Sequence, residues 1–157
     1  GVWGAGVCPA DGAPGAVCAA QVYLYELLGE PGAGLGGPDS SQTLAMLRDR
    51  DGGKAVVLRF DRAQLPAFTL WKNTGGLKSG YVTGLEPGTN YPNPKPFERA
   101  RGRVVTLPPG GSYVTETTLE VLTTVGQVAA AEDEIRRLQA QGGPILHKGP
   151  VEPFAAT

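Results

Sequence analysis

One glutamate, Glu86, stands where a short strand meets a rigid turn in the stretch YVTGLEPGTNYPNP, residues 81–94. Pro87 lacks an N–H and holds the residue before it extended, so the sequence predicts a strand over Tyr81–Leu85 that Pro87 and Gly88 stop at once. A carboxylate fixed at a strand end can act as an acid or base in a pocket, or it can simply be solvated. Trp71, Lys72 and Asn73 close the preceding predicted strand. Trp71 offers a large flat surface for stacking on the apolar face of a sugar, and Lys72 and Asn73 can bond hydroxyls. Asn90 and Tyr91, after the turn, can serve as rim contacts. If the two strands pair through the Gly-rich turn 73–79, Trp71–Asn73 lie at one end of the pair and Glu86 at the other, so the two groups need not meet. Lys95, Arg99, Arg101 and Arg103 with Glu98 form a basic stretch, read as a solvated face or as a surface that greets an anion. His147 is the one histidine of the chain, and it sits in a Gly/Pro-rich tail. No Ser/His/Asp arrangement accompanies it, and no carboxylate–histidine cluster suggests a metal.

These residues must be positioned by a mostly β chain. Val17–Leu28 alternates like a strand. Residues 42–48 and 54–60 read as a hairpin around the turn DRDGG at 49–53. Leu65–Lys72, Tyr81–Leu85, Arg103–Leu107 and Tyr113–Leu122 follow as strands, the last two joined by PPGGS. The loop 87–98, with four prolines, is long enough to be functional. The helix expected over Gln127–Ala140 has Thr124 as N-cap, Gln127 completing a capping box, and an apolar stripe of Val128, Ala131, Ile135 and Leu138. Residues 1–16 read as loop and 144–157 as an irregular tail. Gly32, Gly34 and Gly37 match G-x-G-x-x-G, but a dinucleotide fingerprint must open a helix, and Pro31 and Pro38 flank this one. About seven short strands followed by one helix describe an antiparallel sandwich or barrel with a helix packed on it.

Composition narrows the classes further. The 157 residues are 41% hydrophobic and only 18% charged, which makes a globular chain rather than a disordered one. A net charge of −1 provides no field to attract nucleic acid or an anionic membrane. No apolar run reaches the length of a membrane span. Cys8 and Cys18 do not make a disulfide framework, and read as reduced thiols they suggest a cytoplasmic chain. The chain starts at Gly1, with no signal-like segment following, and reads as a fragment or a processed piece.

The pieces LP…LWKN at 65–73, GLEP at 84–87 and L-PPGGS with its strand at 107–122 together resemble the aldose 1-epimerase family, and most closely a divergent bacterial branch of galactose mutarotase-like proteins. The resemblance covers residues 17–140 and only the C-terminal part of a family member. It implies an antiparallel β-sandwich of the supersandwich type, with residues 1–157 as a single domain that forms the C-terminal portion of a larger one. It implies a monosaccharide or sugar derivative as ligand, Glu86 as the catalytic base and no cofactor; the substrate contacts expected beside it, from the residues themselves, are Trp71, Lys72, Asn73, Tyr81 and Asn90. The reaction would interconvert sugar anomers: the base removes the anomeric hydroxyl proton while an acid protonates the ring oxygen. The family's acid is a histidine earlier in the chain, and no histidine precedes Glu86 here. The partners expected are therefore a sugar and either a second copy of the chain or a missing N-terminal half. The alternative is a non-catalytic carbohydrate-binding β-sandwich module, which keeps Trp71 and needs no base.

Overall fold

The computed structural model describes residues 2–4, 21–28, 31–34, 37–39, 41–73, 82–140, 142, 145–147 and 149–155. The described chain is mainly antiparallel β with one long helix near its C-terminal end. It divides into two compact units.

The first unit comprises 1–26, 67–105 and 145–157. Its sheet holds β1 (Val2–Gly4), β2 (Gln21–Tyr25), β7 (Ala67–Asn73), β8 (Val82–Gly88) and β10 (Leu146–His147), in the order β10-β1-β2-β7-β8. All neighbours are antiparallel except β1 and β10, which run parallel. β1 and β10 lie where the sequence predicts loop and irregular tail. Two- and three-residue strands beside glycine and proline carry no readable period. Leu24, Ala67, Tyr91 and Ala155 form the core of this unit, with Val22 and Phe154 packed against it. The proline-rich segment 87–98 is not a structureless loop. β8 continues through Gly88, and a short helix, α1 (Lys95–Ala100), begins after Pro94 with Pro96 in its first turn. There proline's missing donor costs nothing.

The second unit comprises 27–66 and 106–144. β3 (Pro31–Gly34) and β4 (Gly37–Asp39) pair antiparallel, so the glycine motif belongs to a β ladder rather than a helix N-terminus. β5 (Gln42–Arg48), β6 (Ala55–Asp61) and β9 (Thr117–Leu122) make a three-stranded antiparallel sheet in the order β5-β6-β9. The β5–β6 turn is fixed by Asp49, whose Oδ1 accepts from Gly53 N at 2.8 Å, and by Gly52 at φ +70°, a conformation that favours glycine. The predicted strand over 103–107 is irregular chain, and the strand predicted over 113–122 is confined to 117–122. Helix α2 (Val125–Gln139) starts at Thr124, whose hydroxyl accepts from Gln127 N, while Gln127 Oε1 accepts from Thr123 N. The box is thus one residue wider than the usual pattern. Val128, Ala131 and Leu138 of α2 join Leu44, Ala55, Val57 and Leu122 in the core, with Met46 and Ile135 packed against it.

Candidate functional site

Side chains of cross-strand partners share a face, and alternate residues take opposite faces. The β7–β8 register therefore assigns every predicted site residue on these strands. Trp71 pairs with Gly84, Thr69 with Glu86 and Asn73 with Val82. Glu86, Trp71 and Asn73 share one face, and Lys72 belongs to the other. Lys72 is therefore withdrawn as a companion of Glu86, because strand alternation separates them. Tyr81 lies outside the described residues.

Glu86 is not at a strand end. Residues 82–88 all pair with β7, including Pro87 opposite Phe68. Among the described residues β8 is an edge strand, and an edge tolerates a residue with no N–H because its unpaired side faces outward. The expected separation of Glu86 from Trp71 is corrected in the same way. The Glu86 side chain lies back over Gly84: a Cβ built on Gly84 would sit 2.3 Å from Glu86 Oε1. Gly84 is the residue directly opposite Trp71, so the carboxylate lies beside the Trp71 position on one face. Glu86 is exposed and Trp71 half-buried. Asn90 lies past the end of β8 and is used on its own turn, its Nδ2 donating to Tyr91 O at 2.7 Å.

The far end of that face is roofed. Tyr91, Phe154 and Ala155 pack with Leu24, Ala67 and Val22. The roof hangs on Glu98, a fully buried carboxylate. Glu98 accepts from Arg103 Nε at 2.6 Å and Nη2 at 2.7 Å, from Asn93 Nδ2 at 2.7 Å, and from Tyr91 N at 3.3 Å. Asn93 also donates to Phe154 O at 2.8 Å, tying in the tail. The Arg103 guanidinium lies 5.3 Å from the centre of the Tyr91 ring, and the Tyr91 hydroxyl donates to Tyr25 O at 3.0 Å. Burial would raise the Glu98 carboxyl, but the Arg103 and Asn93 bonds outweigh it and hold it below the usual carboxylate range. Burial, then the charge of Glu26, pushes the Tyr91 phenol up to about 12.

Two of the four cations of the basic stretch are thereby engaged by carboxylates of the chain. Arg103 serves Glu98, and Arg101 pairs with Glu152 at 2.9 Å while its guanidinium lies 4.1 Å from the Phe97 ring centre. Sequence reasoning missed Glu98 as a keystone. The available signal was a carboxylate set among arginines in a segment rich in aromatic residues.

His147 is in register with Trp3, Trp3 with Leu24, Leu24 with Thr69, and Thr69 with Glu86. The row crosses the whole sheet. Four strand spacings separate its two ends by about 19 Å. His147 packs near Phe154, with ring centres 6.4 Å apart. It cannot hand a proton to a sugar ring seated on Glu86.

In the second unit, Gln42, Thr43, Leu44, Arg59 and Glu134 line a cavity of about 240 Å³. Its cation is already engaged, since Arg59 pairs with both Glu134 and Glu120. The Glu134 bonds lead the effects that raise the Arg59 guanidinium above its ordinary value. Among the described residues no group of His, Cys, Asp or Glu could hold a metal, and no helix is long and apolar enough to cross a membrane.

Antiparallel sheets and a long helix near the C-terminal end define a mainly β protein, with an exposed carboxylate and a half-buried indole on the same sheet face. The chain belongs to the family of the domain of unknown function DUF4432, whose model matches residues 21–121. Its fold is similar to the solved structure of a "putative aldose 1-epimerase" from Klebsiella pneumoniae subsp. pneumoniae MGH 78578, with a TM-score of 0.70 and 36% identity. The match covers 85% of this chain and 32% of that one, so the chain spans about a third of that protein's length. Among curated proteins none matches the chain.

Proposed function

We propose that the face of β7 and β8 that carries Trp71 and Glu86 binds a sugar and that Glu86 is the base of an aldose 1-epimerase-like anomer exchange. The observation that carries this reading is the Glu86 side chain lying over Gly84, the residue opposite Trp71 on the same face. A pyranose stacked on the indole would present its polar edge to the carboxylate. Glu86 takes the proton of the anomeric hydroxyl, a second group protonates the ring oxygen, the ring opens, and rotation about C1–C2 before closure gives the other anomer. The similarity to the Klebsiella protein supports the same class of ligand.

The second group is not among the described neighbours of Glu86. Lys72 faces away, and the Tyr91 hydroxyl is spent on Tyr25 O and titrates near 12. The acid is therefore a group outside the described residues. A binding module without catalysis is favoured by this same shortage, since stacking on Trp71 requires no acid.

Glu86→Gln keeps the side-chain shape and removes the base. Anomer exchange followed by polarimetry or NMR should fall by about 10²–10⁴-fold, the worth of one positioned acid–base group, while calorimetric sugar affinity persists. Equal exchange in the variant removes Glu86 from the mechanism. Sugar binding with no exchange in either form leaves the binding module as the function.

A further inference from the structure

We infer that the cavity between β5, β6 and α2 takes a small organic cation, a primary ammonium on a short apolar stem. Strand alternation puts Gln42, Leu44, Arg59 and Glu120 on the side of the β5-β6-β9 sheet that α2 covers. Glu134 follows Ala131 by three positions and precedes Leu138 by four, so it stands in the buried stripe of the helix. Most of this layer is aliphatic. At Arg59 and Glu134 it turns ionic, and beside that pair lies the cavity of about 240 Å³. An ion pair set in an apolar layer gains little for folding over aliphatic residues of similar size. Its place on the wall of a cavity is better explained by a guest.

Charge chooses the guest. Arg59 is shared by two carboxylates, Glu134 and Glu120. Asp61, opposite Gln42 on the same face, adds a third. Arg48, the other guanidinium of this face, is held by Glu132 at 2.7 Å. Among the described residues the wall around Arg59 is therefore negative in excess. An anion would meet a guanidinium that is already bonded and carboxylates on either side of it. A metal ion is not served, since no group of His, Cys, Asp and Glu among the described residues could hold one. An ammonium is drawn by the excess charge, and a carboxylate oxygen can accept twice, so Glu134 can bond Arg59 and an ammonium together. Leu44 gives the stem an apolar wall, and Gln42 and Thr43 make the rest polar. The volume falls below the roughly 300–1,000 Å³ of pockets for drug-sized ligands, so the guest is small.

The test uses one stem with three charges: n-butylammonium, 1-butanol and butyrate. Each is titrated into the 157-residue chain at constant ionic strength while the amide NMR signals of Gln42, Thr43 and Leu44 are followed. Butylammonium should shift these signals saturably, with half-saturation at about 1 mM. The neutral and anionic probes should bind about tenfold more weakly or less. No saturation with butylammonium overturns the proposal. So does equal binding of all three, which would leave an apolar pocket only, and so does a preference for butyrate, which would make Arg59 the recognition group. Two variants tie the binding to the cavity. Glu120→Gln keeps an acceptor for Arg59 and removes one negative charge, and it should weaken butylammonium by about tenfold. Gln42→Trp, at an exposed lining position, should fill the cavity and abolish binding. Unchanged affinity in either variant at the parental Tm overturns the assignment, and the charge series on the parent chain decides even where a variant fails to fold.

Discussion

Glu86 and Glu98 lie twelve positions apart in sequence and sit at opposite extremes of carboxylate design. Glu98 is fully buried and takes hydrogen bonds from Arg103, Asn93 and Tyr91. Glu86 is exposed, and among the described residues it has no ion-pair partner. A buried carboxylate must be satisfied on every side or it costs several kcal/mol, so its chemistry is used up in holding the chain. A carboxylate left open over a glycine has its lone pairs free for a ligand. Satisfaction marks a structural acid, and under the proposed function openness beside a stacking surface leaves Glu86 to act on a ligand.

The largest way to break that contrast is Glu98→Ala. It leaves Arg103 without its anion and unhooks Asn93 and Tyr91, so unfolding free energy in urea should drop by about 3–5 kcal/mol. A loss below about 1 kcal/mol would make the cluster an ornament of the surface. Acid should act on the same group. The folded chain holds the Glu98 carboxyl below the usual range, so the unfolded chain binds the proton first as pH falls. Stability from this group is complete above the unfolded value of about 4.3 and is lost as pH drops through the folded one. Glu98→Gln should flatten the acid limb of a Tm-against-pH curve. Base should act through Tyr91, raised to about 12 in the folded chain. Its contribution is whole below the unfolded value of about 10 and is lost as pH climbs through the folded one, which a Tyr91→Phe variant should abolish.

Trp71→Ala tests the other side of the contrast. Trp71 is half-buried, so the change should cost less than the ~3–5 kcal/mol of a fully buried aromatic, and it should weaken sugar binding by about 1 kcal/mol, roughly fivefold. Calorimetric titration beside thermal melting separates the two effects. The smallest expected change is the stability of Glu86→Gln, within about 0.5 kcal/mol of the parent in urea unfolding. A larger loss would mean that Glu86 also holds the fold.

The readable parts of the chain were those with a complete local signal. The β5–β6 hairpin combined period-two alternation with a turn needing positive φ, and α2 carried both its cap and its stripe. Arg103–Leu107 has the same alternation as a strand, yet the residues beyond Arg103 remain irregular chain, because alternation reports only the ability to pair. α1 was hidden by prolines that read as breakers, although one of them sits in a first turn that suits it. The placing of Trp71 and Glu86 on one face was hidden for a different reason. Pro87 was expected to stop the strand, but an edge position let it stay in the ladder, which moved Glu86 inward by enough to face the indole. Glu98 was hidden because its partners come from 91, 93 and 103, spacings that belong to no regular element.

Gly84 also sets where Glu86 can swing. A carboxylate on a strand surface ordinarily sweeps several rotamers, and each must be given up when a ligand binds. The bare α-carbon beneath Glu86 provides a shallow berth in which the side chain lies down toward Trp71. Gly84→Ala would fill that berth while leaving the ladder intact, and the head of Glu86, being a flexible end, would simply move elsewhere. Under the proposed function the protein would keep its base and lose its aim: the direction of the Glu86 side chain is stored as a missing methyl group.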